Sequence, residues 1–141
     1  MVADKKALRE KVSRKVEDNR DDLIRITQEL IRIPSVNPPG NYDDISHLMA
    51  EYYKAEGLNP VVACAPKEDV EKLGLYYPRP NVLALHEGRE HSPVFCLDAH
   101  MDVVGTGDES SWKYPPFGGE IHDDKILEEA QRIQNATWLL N

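Results

Sequence analysis

The chain has 141 residues and a formal charge of −8, from 17 basic and 25 acidic side chains. That length suits one modest domain with a core of its own. The acidic balance argues against nucleic acid and anionic membrane surfaces as partners, since both attract basic proteins.

The N-terminal Lys5, Lys6, Arg9, Lys11, Arg14 and Lys15 are interleaved with Asp4, Glu10 and Glu17, the pattern of a solvated helix face rather than a binding arm. Residues 3 to about 33 are expected to be helical, weakened in the middle at Asn19 to Asp22. Leu23, Ile24, Thr27, Leu30 and Ile31 recur at the spacing of one helix face. Ile33-Pro34-Ser35-Val36-Asn37-Pro38-Pro39-Gly40 ends the helix, because proline removes donors and extends its predecessor. Ser35 and Asn37 there are expected to be turn formers bonding nearby backbone amides. A second helix is predicted from Asp43 or Asp44, either a good N-cap, with Ile45, Leu48, Met49, Tyr52 and Tyr53 as its apolar stripe and Gly57 as its stop.

Short β-prone runs follow at Val61 to Ala63, Val82 to Leu85 and Val94 to Leu97. Apolar runs without alternation predict strands covered on both faces, as in an α/β fold with a mixed sheet. Pro66 to Pro80 is expected to be a charged loop, and Gly105 to Gly119 a long connection of the kind that lines sites. Cys64 and Cys96 are expected as buried, reduced thiols of a cytosolic protein rather than a disulfide pair. No apolar segment is long enough to cross a bilayer and no signal-peptide core is evident, so a cytoplasmic location is expected.

The most informative run is Leu97-Asp98-Ala99-His100-Met101-Asp102-Val103-Val104. In extended backbone, side chains two residues apart share a face, which places His100 beside Asp102 at a strand end. An imidazole with an acidic neighbour to orient it suits metal binding. Taken alone, His100 is better explained as an ordinary core or surface histidine. His47, His86, His91 and His122 are expected to be surface residues, as are Asp123 and Asp124. Trp112 and Phe117 are expected to pack the following loop.

Three landmarks give this chain a resemblance to a known family. They are Ile33-Pro34-Ser35 with Asn37-Pro38-Pro39-Gly40; then Arg79-Pro80-Asn81-Val82-Leu83-Ala84; then His100-x-Asp102-Val103-Val104 with Trp112, Pro115-Pro116-Phe117 and Gly119-Glu120-Ile121. In this order they resemble the N-terminal part of the zinc metallohydrolases that include acetylornithine deacetylase, succinyl-diaminopimelate desuccinylase, aminoacylases and related dipeptidases. Ala99 replaces a usual glycine and Gly105 a common proline. The resemblance implies an α/β, zinc-exopeptidase-like catalytic domain, represented incompletely by two N-terminal helices and the first strands of a mixed sheet. It implies His100 as a ligand of one of two zinc ions, with cobalt or manganese as alternatives, and Asp102 as the supporting catalytic carboxylate. Two metals about 3.5–4 Å apart can hold a hydroxide and polarise a scissile carbonyl. The implied substrate is a small N-acyl amino acid or peptide, with a homodimer expected only of a full-length protein.

Residues 1–126 are assigned to that partial domain and 127–141 to a tail outside the family pattern. After Ile126 the family continues with an aromatic residue and Gly-Arg-Gly-x-x-Asp-x-Lys, whose aspartate bridges the metals. Here Leu127 to Gln134 can be encoded by TTG GAA GAG GCA CAG AGG ATA CAA. One pyrimidine restored after the first TT makes the same bases, continued into the Asn135 codon, read Phe-Gly-Arg-Gly-Thr-Glu-Asp-Thr-Lys. A single-base deletion or sequencing error at Leu127 is therefore expected, against the alternative of an amphipathic helix carrying Leu127, Ala130, Ile133 and Trp138. Sequencing the coding DNA decides between them. A fragment with one ligand is expected to be inactive alone, since stable zinc sites take three or four protein ligands. The alternative function is a non-catalytic interaction module, or a degraded gene product.

Overall fold

Helix capping explains where the chain turns. In the computed structural model, which describes residues 4–90, 92 and 94–126, the N-terminal helical run is two helices, α1 (Lys5–Asp18) and α2 (Arg20–Ile31). Asp4 caps α1 by accepting from the Lys6 amide at 2.9 Å, and Asn19 ends it by donating to the Lys15 carbonyl at 2.6 Å. Asn favours such breaks because its amide competes for backbone partners.

Helix α3 (Asp43–Ala55) starts one residue earlier than an Asp cap would place it, with Tyr42 at the N-cap. Asp43 lies instead in the first helical turn, where its charge complements the helix dipole. The C-terminus behaves as expected: Gly57 has φ +77°, its N–H donates to Lys54, and Leu58 donates to Tyr53. These two bonds satisfy carbonyls that the helix end leaves open.

The charged 66–80 segment is not simply a loop. It contains α4 (Lys67–Lys72), which starts after Pro66 and buries Val70. Proline at the mouth of a helix loses no useful donor, and Lys67–Glu71 and Lys72–Asp69 pairs line the solvent face. Strands β1 (Val61–Ala63) and β2 (Asn81–Leu83) pair antiparallel, Val62 opposite Val82, and α3 packs on both. A 3₁₀ turn follows at Glu109–Ser111. The hairpin β3 (Ile121–His122) and β4 (Lys125–Ile126) turns through Asp123 and Asp124, at φ 50° and 58°. Such left-handed pairs match the twist of a two-residue hairpin, and Asp tolerates them.

The core is small. Tyr42, Ile45, Ala50 and Val70 are its buried apolar residues among those described, and Ser35 and Ser46 are buried polar ones. The arrangement is thus mixed α and β, compatible with the α/β class, but among the described residues the strands form two small antiparallel ladders and one parallel bridge rather than one covered mixed sheet. Val94 to Leu97 forms no strand; Phe95 and Leu97 are 84% and 86% exposed. An apolar run needs neighbours to pair with its backbone, and among the described residues none does. Cys64 and Cys96 share that fate: both are free and exposed rather than buried. His91 and the tail from Leu127, with its two alternative readings, lie outside the described residues.

Helices α2 and α3 are tied by Glu29, which accepts from the Tyr52 hydroxyl and pairs with Arg25 at 3.0 Å. The Tyr52 hydrogen bond first, and Arg25 second, hold the Glu29 carboxyl below its ordinary value. A depressed carboxylate stabilises the fold above its unfolded pKa, about 4.3, and that stabilisation is lost as pH falls through the folded value. The thermal midpoint of Glu29→Gln should therefore lie below that of the parent at pH 7, with the gap closing progressively as pH falls below about 4.3. A constant gap across that range would remove Glu29 from the acid response.

Candidate metal centre

Position 100 is set by backbone that runs extended into a single parallel bridge, Val36 with Val103. The Asn37 amide donates to the Val103 carbonyl at 2.8 Å, and the Val103 amide to Ser35 at 3.1 Å. Ser35, 2% exposed, adds a third tie from its hydroxyl to the Met101 carbonyl at 2.6 Å. The proline-rich turn and the His-x-Asp segment are thereby clamped together.

On this extended stretch the imidazole and the carboxylate do share a side. His100 Nδ1 lies 3.1 Å from Asp102 Oδ1 and 2.9 Å from the Asp102 carbonyl oxygen. Both neighbours are acceptors only, so Nδ1 must carry the proton. In the neutral ring the lone pair is then on Nε2, on a side chain 85% exposed.

Asp102 is held from the other side. Its Oδ2 accepts from the Asn37 amide at 3.0 Å and from the Tyr42 hydroxyl at 3.4 Å. Partial burial pushes the Asp102 carboxyl up, but the Asn37 amide, the His100 imidazole and its own backbone amide outweigh that and hold it below the ordinary value. Tyr42 shifts upward, chiefly through burial and then through the Asp102 charge, against an opposing pull from Arg79.

Arg79 completes the cluster. Its guanidinium lies 5.1 Å from the centre of the Tyr42 ring and donates to the Gly40 carbonyl at 3.1 Å. Gly40, at φ +79°, leaves the space the guanidinium fills. Each of the three sequence landmarks thus contributes to one place: Ser35 and Asn37 from the first, Arg79 from the second, His100 and Asp102 from the third. Ser35 and Asn37 are not local turn formers; their side chains reach residues 66 and 65 positions away.

The remaining expected surface residues divide. His47, His86, Asp123 and Asp124 are exposed. His122 is half-buried, stacked 3.9 Å from the Tyr114 ring with Nε2 2.7 Å from Glu120. Trp112 braces the 105–119 connection by donating to the Thr106 carbonyl at 2.9 Å. Among the described residues, no three His, Cys, Asp or Glu side chains converge as a metal set.

No family model matches the chain. It is similar, however, to proteins named succinyl-diaminopimelate desuccinylase. That of Ehrlichia canis (strain Jake) is 35% identical over 105 residues, covering 73% of this chain and 24% of the relative. Those of Rhodospirillum centenum and Blochmanniella floridana are each 32% identical over 109 and 108 residues, again a quarter of their own length. This chain carries a segment of the succinyl-diaminopimelate desuccinylase family. It spans about a quarter of the length of the curated relatives it matches.

Proposed function

We propose that this chain supplies part of the site of a metal-dependent amide hydrolase acting on N-acyl amino acids, succinylated ones foremost, or on small peptides. The observation that carries it is the His100 ring, whose Nδ1 is committed to Asp102 while Nε2 is open. That is the state in which an imidazole binds a divalent cation, and a carboxylate on the other nitrogen raises its basicity. His100 would hold zinc, with cobalt or manganese as alternatives, and Asp102 would orient it. When bound, such ions polarise the scissile carbonyl and acidify the attacking water. The other ligands belong to the part of the family's length this chain does not match.

Two measurements test this. The purified chain, given zinc or cobalt and a succinylated amino acid, should show no appreciable turnover, because one imidazole does not make a zinc site. Substituting this chain's matching segment into a desuccinylase relative should preserve hydrolysis. In that chimera His100→Ala should lower kcat/KM by at least about 100-fold and Asp102→Ala by about 10–100-fold. A chimera indifferent to His100→Ala would sink the proposal.

Docking on another protein is the second possibility, favoured by Leu8, Val12 and Val16, an apolar row on α1 that is more than half exposed. A discrete complex in sedimentation that is lost with Val12→Glu would support it.

A further inference from the structure

The position of the His100 ring depends on Asp102, and the His100 side chain is otherwise open to solvent. The question is what keeps the Asp102 carboxylate turned toward it. One oxygen faces His100; the other faces Asn37 Nδ2 at 3.0 Å and, more weakly, Tyr42 at 3.4 Å. Asn37 is itself fixed by its main chain, since its N–H is the donor to Val103 in the parallel bridge. The amide therefore reaches Asp102 from a backbone anchored one residue beyond that aspartate. Its NH₂ end must face the carboxylate, because the amide oxygen there would meet only acceptors.

We propose that Asn37 is a positioning residue, which by holding Asp102 Oδ2 keeps the proton of His100 on Nδ1 and its Nε2 free to bind a metal. The metal role rests on the function proposed above; the proton placement does not. A half-buried carboxylate without this donor rotates among several arrangements, leaving the Asp102 backbone carbonyl alone to hold the Nδ1 proton, and the solvated imidazole then exchanges more freely between its two neutral tautomers. Charge-assisted hydrogen bonds of this kind are stronger than neutral ones, so losing one should change the tautomer ratio by about tenfold.

The test uses the full chain, with long-range ¹H–¹⁵N correlation of the His100 ring at about pH 8, where an ordinary imidazole is neutral. The parent should show a protonated Nδ1 and an unprotonated Nε2. Asn37→Ala should shift His100 toward the Nε2-protonated form. Asn37→Asp, which keeps the shape but removes the donor, should shift it at least as far, an effect that mere space filling would not produce. Tyr42→Phe, which removes the longer bond to the same oxygen, should move it less. The Val103 and Asn37 backbone amide resonances report whether the bridge survives in each variant. A parent Nδ1–H signal unchanged in both Asn37 variants, with the bridge intact, overturns the role of Asn37. A parent already protonated on Nε2 overturns the assignment of His100 as the ligand instead.

Discussion

Gly119→Ala should destabilise the fold by about 2–5 kcal/mol, a large share of the stability of a domain this small. Gly119 has φ +58°, and a Cβ built there would lie 2.9 Å from the Gln28 carbonyl oxygen and 3.3 Å from the Gln28 Cα. A left-handed alanine costs about 1–2 kcal/mol. Forcing backbone away from a packed contact adds about 1–3 kcal/mol, since α2 cannot yield as a flexible side chain would. The approach is close because α2 grips this turn: Gln28 Nε2 donates to the Gly119 carbonyl at 2.6 Å and Arg32 Nε to Gly118 at 3.2 Å. Gly57 and Gly74 provide the comparison. Both have positive φ, at +77° and +69°, but nothing stands within 4 Å of an added Cβ. Their alanine variants should lose only the conformational part, about 1–2 kcal/mol. Urea unfolding of the three variants measures the difference, and equal losses would show that the Gln28 contact yields freely.

How far the residues announced these features depends on the range over which each signal acts. The break at Asn19 and the stop at Gly57 were legible because capping chemistry acts within a few positions. The His100–Asp102 pairing was legible for the same reason, since extended backbone alternates every two residues. Val94 to Leu97 misled because an uninterrupted apolar run reports that a strand wants cover on both faces, not that cover is present; among the described residues it has none. Cys96 within that run follows it into solvent. Helix α4 was hidden by Pro66, which marks a loop when read alone and a helix start when Val70 has somewhere to be buried. Asn37, Tyr42 and Arg79 were missed as members of the site because their partners are far off in the chain. Tyr42 was passed over as a residue before a helix, and Arg79 as part of a proline-bounded loop. The available signal was that all three lie in or beside the landmarks that also hold His100.

Tyr42 is where stability and the site meet, and its replacement should separate the two. Tyr42→Ala removes one of the few buried large side chains, at 9% exposure, and should cost about 3–5 kcal/mol, the range for deleting a core aromatic. With so small a core, nothing nearby can collapse to refill the space, so the upper half of that range is expected. Tyr42→Phe keeps the ring under Arg79 and forfeits only the 3.4 Å bond to Asp102, so less than about 1 kcal/mol should be lost. Arg79 couples to the same ring: a double-mutant cycle of Tyr42→Leu with Arg79→Met should return about 0.5–2 kcal/mol of interaction energy. A near-zero coupling would mean that Arg79 acts through its bonds to the Gly40 and Pro39 carbonyls alone. Because the phenol and the Asn37 amide both end on the Asp102 carboxylate, the ring does more than fill space. It joins the proline-rich turn, through Arg79, to the Asp102 carboxylate that orients His100, so loosening this part of the core also loosens the His100 imidazole.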